Sequence, residues 1–516
     1  MSAAQKGRSI DCVSVALRDV DVDLLALPWF ERDRPSAFAD LDRAAAGEIA
    51  RALESGEFKG RPFEVFVTPI VDRNWKAHRL VLIGAGAEAA YSPGSARRLA
   101  SAAGLIARQR LTARLGLVMR PGPAAASGDV DVAGLLQAIA EGLTLSEYSA
   151  STYQTGEAST ASSPALTIVV PPLRDTSPES PARLHSAIAR GRVLGEATNL
   201  ARDLANEPAN RLTPREFAAR AAGVVTDAGA DARIIEPGEI DELGLSLIQA
   251  VAKGSGEPSR LMVLRHAPPD APVRPVLGLV GKGITFDTGG LSIKPAHGME
   301  RMKDEMAGGA AVVAAIAAMA RLNAPMRVVG VVPAMENMPG SGAVKPGDVL
   351  RSAAGKTVEV IDTDAEGQLV LADALWYARQ LGATHLVDVA TLSPAVVTAL
   401  GNEVSGLFGG PDWWVEQVRR VGERAGDRLW QLPLVEDYRG MLRSDIADMV
   451  NAAGHVAGAI TDALFLQEFT AGLPWAHVDI TGSAWVDAAQ PFMPKGPRGA
   501  LVRTLAELPF TVSSWK

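Results

Sequence analysis

The sequence predicts an α/β protein with two domains: an N-terminal α/β domain and a larger C-terminal catalytic domain with a mostly parallel or mixed sheet flanked by helices. Three observations support this. The chain has 516 residues, more than one ordinary domain of about 150 residues contains. Short apolar runs alternate along it with Ala-rich helical patterns, as in βα units. Several runs are apolar throughout, which is typical of strands covered on both faces.

The N-terminal domain is predicted over residues 1–180. Its strands are expected at 24–27, 80–83, 115–119 and 165–170. A segment rich in Ser, Thr and Ala over 149–164 interrupts the pattern, and Pro171-Pro172 end the last strand. We place the domain boundary just after these prolines and expect a helix over about 181–205 that leads into the second domain.

The C-terminal domain is predicted over residues 181–516. Strands that are apolar throughout are expected at 276–280, 328–332, 358–361 and 386–389. They alternate with helical patterns such as 306–322 and 369–381, so a mostly parallel sheet is expected. Ligands of such sheets bind beyond the carboxyl ends of the strands, where we therefore expect the functional residues.

Composition and charge exclude several classes of function. Apolar residues make up 47% and charged residues 21%, as in folded globular proteins. The net charge of -8 disfavours nucleic acid and anionic membranes as partners. The single cysteine, Cys12, excludes an internal disulfide and Cys-x-x-Cys motifs. Without an apolar signal block near the N-terminus or an apolar run long enough to span a bilayer, a cytoplasmic protein is expected.

A Gly-rich segment follows the strand predicted at 276–280. Residues 281–290 contain four glycines together with Lys282 and Asp287, and Lys294 follows shortly afterwards. Glycines let the backbone turn tightly at a strand end. The alternative for the two lysines is an ordinary solvated surface position. A lysine beside divalent cations can instead lose its proton and become a nitrogen ligand.

A second segment carries three carboxylates within five residues. Asp362, Asp364 and Glu366 follow the strand predicted at 358–361, and in an extended chain they share one side. Buried carboxylates this close take up protons unless cations lie beside them. The alternative is that they cap the helix that follows. Three acids near a Gly-rich turn with a further Asp and two lysines favour a cation site.

Other catalytic motifs are missing from the sequence. It contains neither His-Glu-x-x-His nor the Gly-x-Ser-x-Gly elbow. Gly355-Lys356-Thr357 is similar to the end of a phosphate-binding loop, but Leu350 stands where that loop needs Gly, so we interpret it as a turn. Carboxylates with a lysine suit manganese, magnesium or zinc. Two such ions can activate a water and polarise a carbonyl, which is the chemistry of a two-metal hydrolase.

Residues 281–295 and 363–367 resemble the metal-site motifs of the leucine (cytosol) aminopeptidase family. The resemblance extends over about 195–490. It implies two divalent metal ions per chain, manganese or zinc with magnesium as an alternative, and removal of N-terminal residues from peptides or small amides. It also implies a homohexamer. The metal ligands that it implies are Lys282, Asp287, Glu305, Asp364 and Glu366, with Lys294 stabilising the oxyanion.

The sequence departs from the family pattern at several of these positions. Glu305, preceded by Asp304, stands where the family has Asp, and Gln368 replaces the arginine that holds a bicarbonate beside the attacking water. Pro394 replaces a glycine in a segment that lines the peptide groove, and proline has no N–H to donate. We therefore expect a metal-dependent aminopeptidase of weak or altered activity, with Lys294 and Gln368 at the catalytic positions. The alternative is a catalytically silent homologue that serves as a scaffold or binding protein.

Overall fold

The computed structural model of the chain describes residues 9–122, 131–155, 163–170, 181–454 and 456–515. The chain forms two compact units: Met1–Glu196 with Ala488–Lys495, and Ala197–Asp487 with Gly496–Lys516. The boundary predicted between residues 180 and 181 adjoins 171–180, which lie outside the described residues, and it stays a prediction. The interruption predicted over 149–164 lies only partly within the described residues.

The first unit contains a six-stranded sheet. Its strands are β1 (Ile10–Val13), β2 (Leu24–Phe30), β3 (Val65–Pro69), β4 (Arg79–Gly86), β5 (Arg114–Val118) and β6 (Ala165–Val169). Its helices are α1 (Ala39–Ala44), α2 (Glu48–Glu54), α3 (Pro93–Gln109) and α4 (Val132–Leu145). The strand order is β1-β6-β5-β2-β4-β3, with antiparallel pairing only between β3 and β4 among these strands. The four strands predicted for this region are confirmed as β2, β4, β5 and β6.

Strand β2 shows why an all-apolar run forms here. Every residue of β2 is buried, because side chains alternate between two separate clusters. Leu24 and Ala26 pack in the cluster that contains residues of α3 and α4. Leu25 and Leu27 pack in the cluster that contains residues of α1 and α2. Helix α5 (Pro181–Asn206) confirms the helix predicted over 181–205.

The second unit contains a mixed nine-stranded sheet. Its strands are β7 (Asp231–Ile235), β8 (Arg260–His266), β9 (Val276–Gly281), β10 (Gly283–Asp287), β11 (Arg327–Asn337), β14 (His385–Ala390), β15 (Ser405–Gly410), β16 (Leu429–Gln431) and β18 (Trp475–Asp479). The order is β16-β15-β18-β14-β9-β11-β8-β7, with β10 beside β11. The central strands pair in parallel, whereas β8 pairs antiparallel with β7 and β11, and β15 with β18.

The helices of the second unit cover this sheet. They are α6 (Pro214–Asp227), α7 (Pro237–Glu242), α8 (Ser246–Ala252), α9 (Ala307–Arg321), α10 (Glu366–Gln380), α11 (Pro394–Leu400), α12 (Asp412–Ala425), α13 (Gly458–Gln467) and α14 (Val502–Glu507). Helices α9 and α10 confirm the helices predicted over 306–322 and 369–381. Helix α9 is buried from Gly308 to Ala320, which explains its continuous run of small apolar residues. No helix in the described ranges is long and apolar enough to cross a membrane.

The strand predicted at 358–361 is shorter than expected and belongs to another sheet. Strand β13 (Thr357–Glu359) lies between β12 (Val349–Arg351) and β17 (Met449–Val450) in a three-stranded sheet, and β19 (Trp485–Val486) pairs with β20 (Gly496–Pro497). A short apolar run does not reveal its partner strand, so the sequence could not assign it. Gly355, with φ +88, lies in the connection from β12 to β13, which confirms the predicted turn.

Candidate metal centre

The first motif lies at the carboxyl ends of neighbouring strands in the nine-stranded sheet. Lys282 follows β9, Asp287 is the last residue of β10 and Thr391 follows β14. Strand β9 is parallel to β14 and β11, and β10 is parallel to β11, so these strands end at the same edge. The motif therefore lies where the sequence predicted functional residues.

The second motif forms a turn between β13 and α10 that is bonded to the Gly-rich turn. The Thr363 hydroxyl donates to the Gly289 carbonyl at 2.7 Å and accepts from the Ser292 N–H at 2.7 Å. Gly289 has φ +84, and a Cβ there would lie 2.5 Å from the Ser292 carbonyl oxygen, so glycine is required. Hydrogen bonds thus join the two motifs into one structure.

Three carboxylates converge where the motifs meet. Asp287, Asp364 and Glu366 each offer an oxygen, and these oxygens lie within 4.8 Å of one another. Asp287 and Glu366 are each only 1% exposed. Asn337, at the end of β11, donates from Nδ2 to Asp287 Oδ1 at 2.8 Å and to the Thr363 carbonyl at 3.0 Å. The arrangement holds three acids together, two of them buried and Asp364 partly exposed.

Asp362 does not belong to this group, although the sequence predicted that it shares one side with Asp364 and Glu366. The chain is not extended here, since Glu366 is already the first residue of α10. Asp362 Oδ1 instead accepts a hydrogen bond from the Asp364 N–H at 2.9 Å. Aspartate side chains favour such local bonds in turns. The prediction was wrong for Asp362 for this reason.

Lys282 lies between two glutamates. Its Nζ is 2.5 Å from Glu305 Oε2 and 2.8 Å from Glu366 Oε1, and it donates to the Thr391 carbonyl at 2.7 Å. Burial alone would lower the pKa of Lys282, but the carboxylates of Glu305, Glu366 and Asp287 outweigh burial and raise the pKa well above its usual value. Without a metal ion, Lys282 is therefore a buried ammonium ion.

Lys294 occupies the corresponding place between the two aspartates. Its Nζ is 2.9 Å from Asp287 Oδ2 and is also ion-paired with Asp364. Burial would lower the pKa of Lys294, but the surrounding carboxylates raise it above its usual value. The side chain of Lys294 remains 21% exposed, so its ammonium group is more accessible than that of Lys282.

Burial raises the pKa values of two of the three acids. It raises the pKa of Glu366 to about 8, helped by Asp287 and opposed by Lys282. It raises the pKa of Asp364 to about 6, opposed by Lys294. Carboxyl groups with such raised pKa values gain most from a divalent cation, because the cation restores the charged form.

Glu305 reaches the centre, but its carboxylate is not among the three that converge. Glu305 Oε2 accepts hydrogen bonds from Lys282 Nζ at 2.5 Å and from the Thr391 hydroxyl at 2.7 Å. Asp304 points elsewhere and lies 3.5 Å from the Arg301 guanidinium. Burial and the neighbouring Glu305 raise the pKa of Asp304 to about 7. Of the two adjacent acids, only Glu305 therefore faces the lysine of the centre.

Gln368 is buried two residues after Glu366. It is 3% exposed, and its Oε1 is buried with no hydrogen-bond partner in the described part of the chain. Asp462, on α13, lies beside Gln368 and Ser393; burial raises the pKa of Asp462 to about 7, and these two side chains oppose the rise. Gln368 thus lies beside a buried acid whose charge changes near neutral pH.

Pro394 is the first residue of α11. A proline at that position costs nothing in the helix, because the first N–H groups of a helix have no partner within it. The preceding residue, Ser393, caps the helix by accepting from the Ala395 N–H at 3.2 Å, and its own N–H donates to Asp479 Oδ2 at 3.0 Å. Ser393 and Pro394 therefore both suit the start of α11, which explains their presence at these positions.

Asn451 and Thr391 support the centre but were given no role from the sequence. Asn451, fully buried, accepts from the Ile361 N–H at 2.9 Å and donates to the carbonyls of Asp362 at 2.6 Å and Ala365 at 3.2 Å. It lies some ninety residues beyond the acidic turn, and no local pattern indicates it. Thr391 follows β14, and its hydroxyl contacts Glu305.

These residues fit divalent cations. Glu366 Oε2 is buried and accepts no hydrogen bond from any residue that the structure describes. Two other buried oxygens are Asp287 Oδ2 and Asp364 Oδ1. Among the residues that the structure describes, their only partner is the Lys294 ammonium. Buried acceptors without donors are rare in proteins, and oxygen-rich sites suit manganese, magnesium or zinc. The donor set therefore supports the cation site that the sequence predicted.

Two sequence models of one family match most of the chain. The cytosol aminopeptidase family, catalytic domain, matches residues 199–506, and the cytosol aminopeptidase family, N-terminal domain, matches residues 26–157. A probable cytosol aminopeptidase of Solibacter usitatus is 42% identical over 501 residues, which are 97% of this chain and 98% of that protein. A probable cytosol aminopeptidase of Koribacter versatilis is 40% identical over 498 residues, which are 94% of this chain and 95% of that protein.

Solved structures show the same similarity. The bottromycin maturation enzyme BotP in complex with Mn superposes with a TM-score of 0.81 at 36% identity, covering 95% of this chain and 100% of that chain. A mutant of tomato leucine aminopeptidase superposes with a TM-score of 0.86 at 30% identity, covering 97% and 96%.

Proposed function

The chain belongs to the cytosol aminopeptidase family of metal-dependent peptidases, and we propose that it uses two divalent ions to hydrolyse N-terminal residues from peptides or related amides. One observation carries the proposal. The carboxylates of Asp287, Asp364 and Glu366 converge, and the buried Glu366 Oε2 has no hydrogen-bond donor among the described residues. Such a cluster is unfavourable in a protein unless cations bind it.

The ions would be held by Lys282, Asp287, Glu305, Asp364 and Glu366. When bound, two divalent ions lower the pKa of a water and polarise the carbonyl that it attacks. Manganese or zinc is the proposed metal, with magnesium as the alternative. Manganese is favoured by the similarity to the bottromycin maturation enzyme, whose structure contains Mn.

Lys294 would stabilise the negative charge that develops on the substrate oxygen. The surrounding carboxylates raise the pKa of Lys294, which favours its ammonium form, and Lys294 is the more exposed of the two lysines. An ammonium placed beside a developing oxyanion lowers the barrier without itself reacting. The ion pairs with Asp287 and Asp364 place the Lys294 ammonium beside the carboxylates of the centre.

Gln368 would contribute less than an arginine at the same place. Its amide is neutral and cannot hold an anion as the guanidinium of arginine does. If the difference resembles the loss of one oxyanion-hole donor, turnover would be slower by about 10² to 10³ than with the arginine. We therefore expect a weak aminopeptidase or one with an altered substrate preference.

The similarity to this family also supports a proposal for the location and assembly of the protein. We propose a cytoplasmic homohexamer that acts on peptides or small amides. The net charge of -8 provides no general attraction for nucleic acid or anionic lipid. Neither is therefore proposed as a partner.

Metal analysis and a substrate panel test the proposal together. The protein would be stripped with a chelator, reloaded with manganese or zinc, and assayed for bound ions and for release of N-terminal residues from dipeptides and amides. We expect two ions per chain and turnover that falls by more than 100-fold in Lys294→Ala. Lys345→Ala is the matched control, since Lys345 is 69% exposed and paired only locally with Asp348.

Different results separate enzyme from scaffold. Two bound ions with turnover above the Lys294→Ala variant support the aminopeptidase. No bound ion after loading and no turnover on any substrate would instead identify a catalytically silent homologue that acts as a scaffold or binding protein.

A further inference from the structure

Thr391 contacts both groups that flank one side of the candidate metal centre. Its hydroxyl donates to Glu305 Oε2 at 2.7 Å, and its carbonyl accepts from Lys282 Nζ at 2.7 Å. Lys282 Nζ and Glu305 Oε2 are themselves 2.5 Å apart. Thr391, Glu305 and Lys282 thus form a closed triangle of hydrogen bonds, and Thr391 is only 4% exposed.

The position of Thr391 is fixed independently of Glu305. It follows β14, whose residues pair with β9 on one side and β18 on the other. The next two N–H groups, of Leu392 and Ser393, donate to the Asp479 carboxylate at 3.3 and 3.0 Å. The threonine is therefore a rigid support for a side chain that is otherwise long and flexible.

The length of Glu305 makes this support necessary. Glutamate has one more rotatable bond than aspartate, so its carboxylate can occupy more positions. Metal ligands must be placed to within about 0.2 Å. A hydroxyl that donates to one carboxylate oxygen leaves the other oxygen free and restricts the rotation of the group.

We infer that Thr391 is a positioning residue that holds Glu305 and Lys282 in the geometry needed for one of the two metal ions. The inference rests on the proposed function, because it assumes that Glu305 and Lys282 are ligands. It assigns Thr391 no contact with substrate. The residue acts through the ligands that it orients.

Manganese titration of the metal-free, full-length protein by calorimetry tests this inference without relying on turnover. Thr391→Val keeps the shape of the side chain and removes the hydroxyl, and Thr391→Ser retains the hydroxyl. We expect Thr391→Val to lower the affinity for one manganese ion by about 10-fold to 100-fold and to leave the affinity for the other unchanged. Thr391→Ser should bind both ions as the wild type does. Thr398→Val is the control for replacing a threonine by a valine, because Thr398 is an exposed residue of α11.

Glu305→Asp provides a second test. Shortening the side chain by one carbon, about 1.5 Å, withdraws the carboxylate from the Thr391 hydroxyl. In the Glu305→Asp background, Thr391→Val should therefore change manganese affinity by less than about 2-fold. Coupling of this kind distinguishes an action through Glu305 from a general packing role.

The outcomes separate this inference from the proposed function. If the wild type binds two ions and Thr391→Val binds both equally well, the inference is wrong and the metal centre stands. The same holds if Thr391→Ser binds manganese as weakly as Thr391→Val does. It also holds if Thr391→Val lowers manganese affinity by the same factor in the Glu305→Asp background as in the wild type. If the wild type binds fewer than two ions, the proposed two-metal function fails, and this inference fails with it.

Discussion

Uncharged side chains hold the acids of the metal centre in place. Asn337 binds Asp287, and Asn451 binds the backbone of the acidic turn through its amide nitrogen and oxygen. Neutral amides supply directed hydrogen bonds without adding charge to an already crowded site. Both asparagines lie outside the two motifs, so the centre depends on several parts of the second unit.

Asn451→Ala should loosen the acidic turn. The substitution leaves the buried Ala365 carbonyl without this partner, at a cost of about 1 to 3 kcal/mol. The Ile361 N–H and the Asp362 carbonyl also lose it, at a smaller cost because both are only partly buried. We expect a lower melting temperature and at least 10-fold weaker manganese binding, measured by calorimetry.

Asn74→Ala is the matched control for this experiment, because Asn74 is exposed and bonds only to nearby Asp72. Wild-type manganese affinity in Asn451→Ala would show that the turn keeps its shape without this side chain.

Asp373 makes the stability of the protein depend on pH. It is completely buried on α10 and accepts from the N–H groups of Leu247 at 2.8 Å and Ala353 at 2.9 Å. Burial raises its pKa to about 7, opposed by these hydrogen bonds. From about pH 4 to about 7 the folded chain therefore keeps a proton that the unfolded chain loses. The free energy of unfolding should fall as pH rises, by at most about 1.4 kcal/mol per unit from this group.

Denaturation by urea at pH 5, 6 and 7 measures this slope. Asp373→Asn does not titrate and should show a flatter profile, although it is less stable at every pH because its amide cannot accept both hydrogen bonds. Equal slopes in the two proteins would assign the pH dependence to other groups.

The sequence revealed those site residues that lie within two short motifs. Lys282, Asp287, Asp364 and Glu366 were found because strand ends and carboxylate spacing are local patterns. Asp362 was misplaced because a turn, and not an extended strand, follows β13. Asn451 was missed because its partners lie almost ninety residues earlier in the chain.

At the level of elements, close backbone packing brings α9 onto the sheet. A Cβ at Gly308 would lie 2.0 Å from the Val389 carbonyl oxygen, and one at Gly281 would lie 2.6 Å from the Gly308 carbonyl oxygen. Helix α9 begins two residues after Glu305, so this contact also positions the backbone from which the Glu305 side chain reaches the centre. Apolar runs predicted most elements correctly, but such runs do not specify strand partners, as β13 shows.

Gly308→Ala should therefore both destabilise the protein and impair the centre. The added methyl group meets a backbone oxygen that cannot rotate away, and overpacking of this kind costs about 1 to 3 kcal/mol or more. We expect a lower melting temperature and weaker manganese binding, measured on the same preparation.

Gly223→Ala is the control for this substitution. Gly223 lies within α6, and an added Cβ would meet nothing within 4 Å, so alanine should be neutral or stabilising by up to about 1 kcal/mol. Similar melting temperatures for the two variants would show that α9 can move away from the sheet without cost.

For the whole molecule, the division into two units separates the site from much of the chain. All five proposed ligands lie within Ala197–Asp487, and none comes from the first unit. The sequence predicted two domains from length and a repeated βα pattern, because both signals extend over long stretches. It could not place the segment Ala488–Lys495, which groups with the first unit although it interrupts the second in sequence.

Metal binding should therefore stabilise the second unit alone. A ligand that binds only the folded state adds about 2.7 kcal/mol at a free concentration of 100 times Kd, which slows exchange through complete opening of that unit by about 100-fold. Hydrogen exchange measured by mass spectrometry with and without manganese would map this effect onto the chain. Peptides from β9, β11 and β14 should gain protection, whereas peptides from β2 and β4 provide the internal control. Equal gains in both sets would mean that the two units open together, and gains in neither would count against metal binding at the proposed ligands.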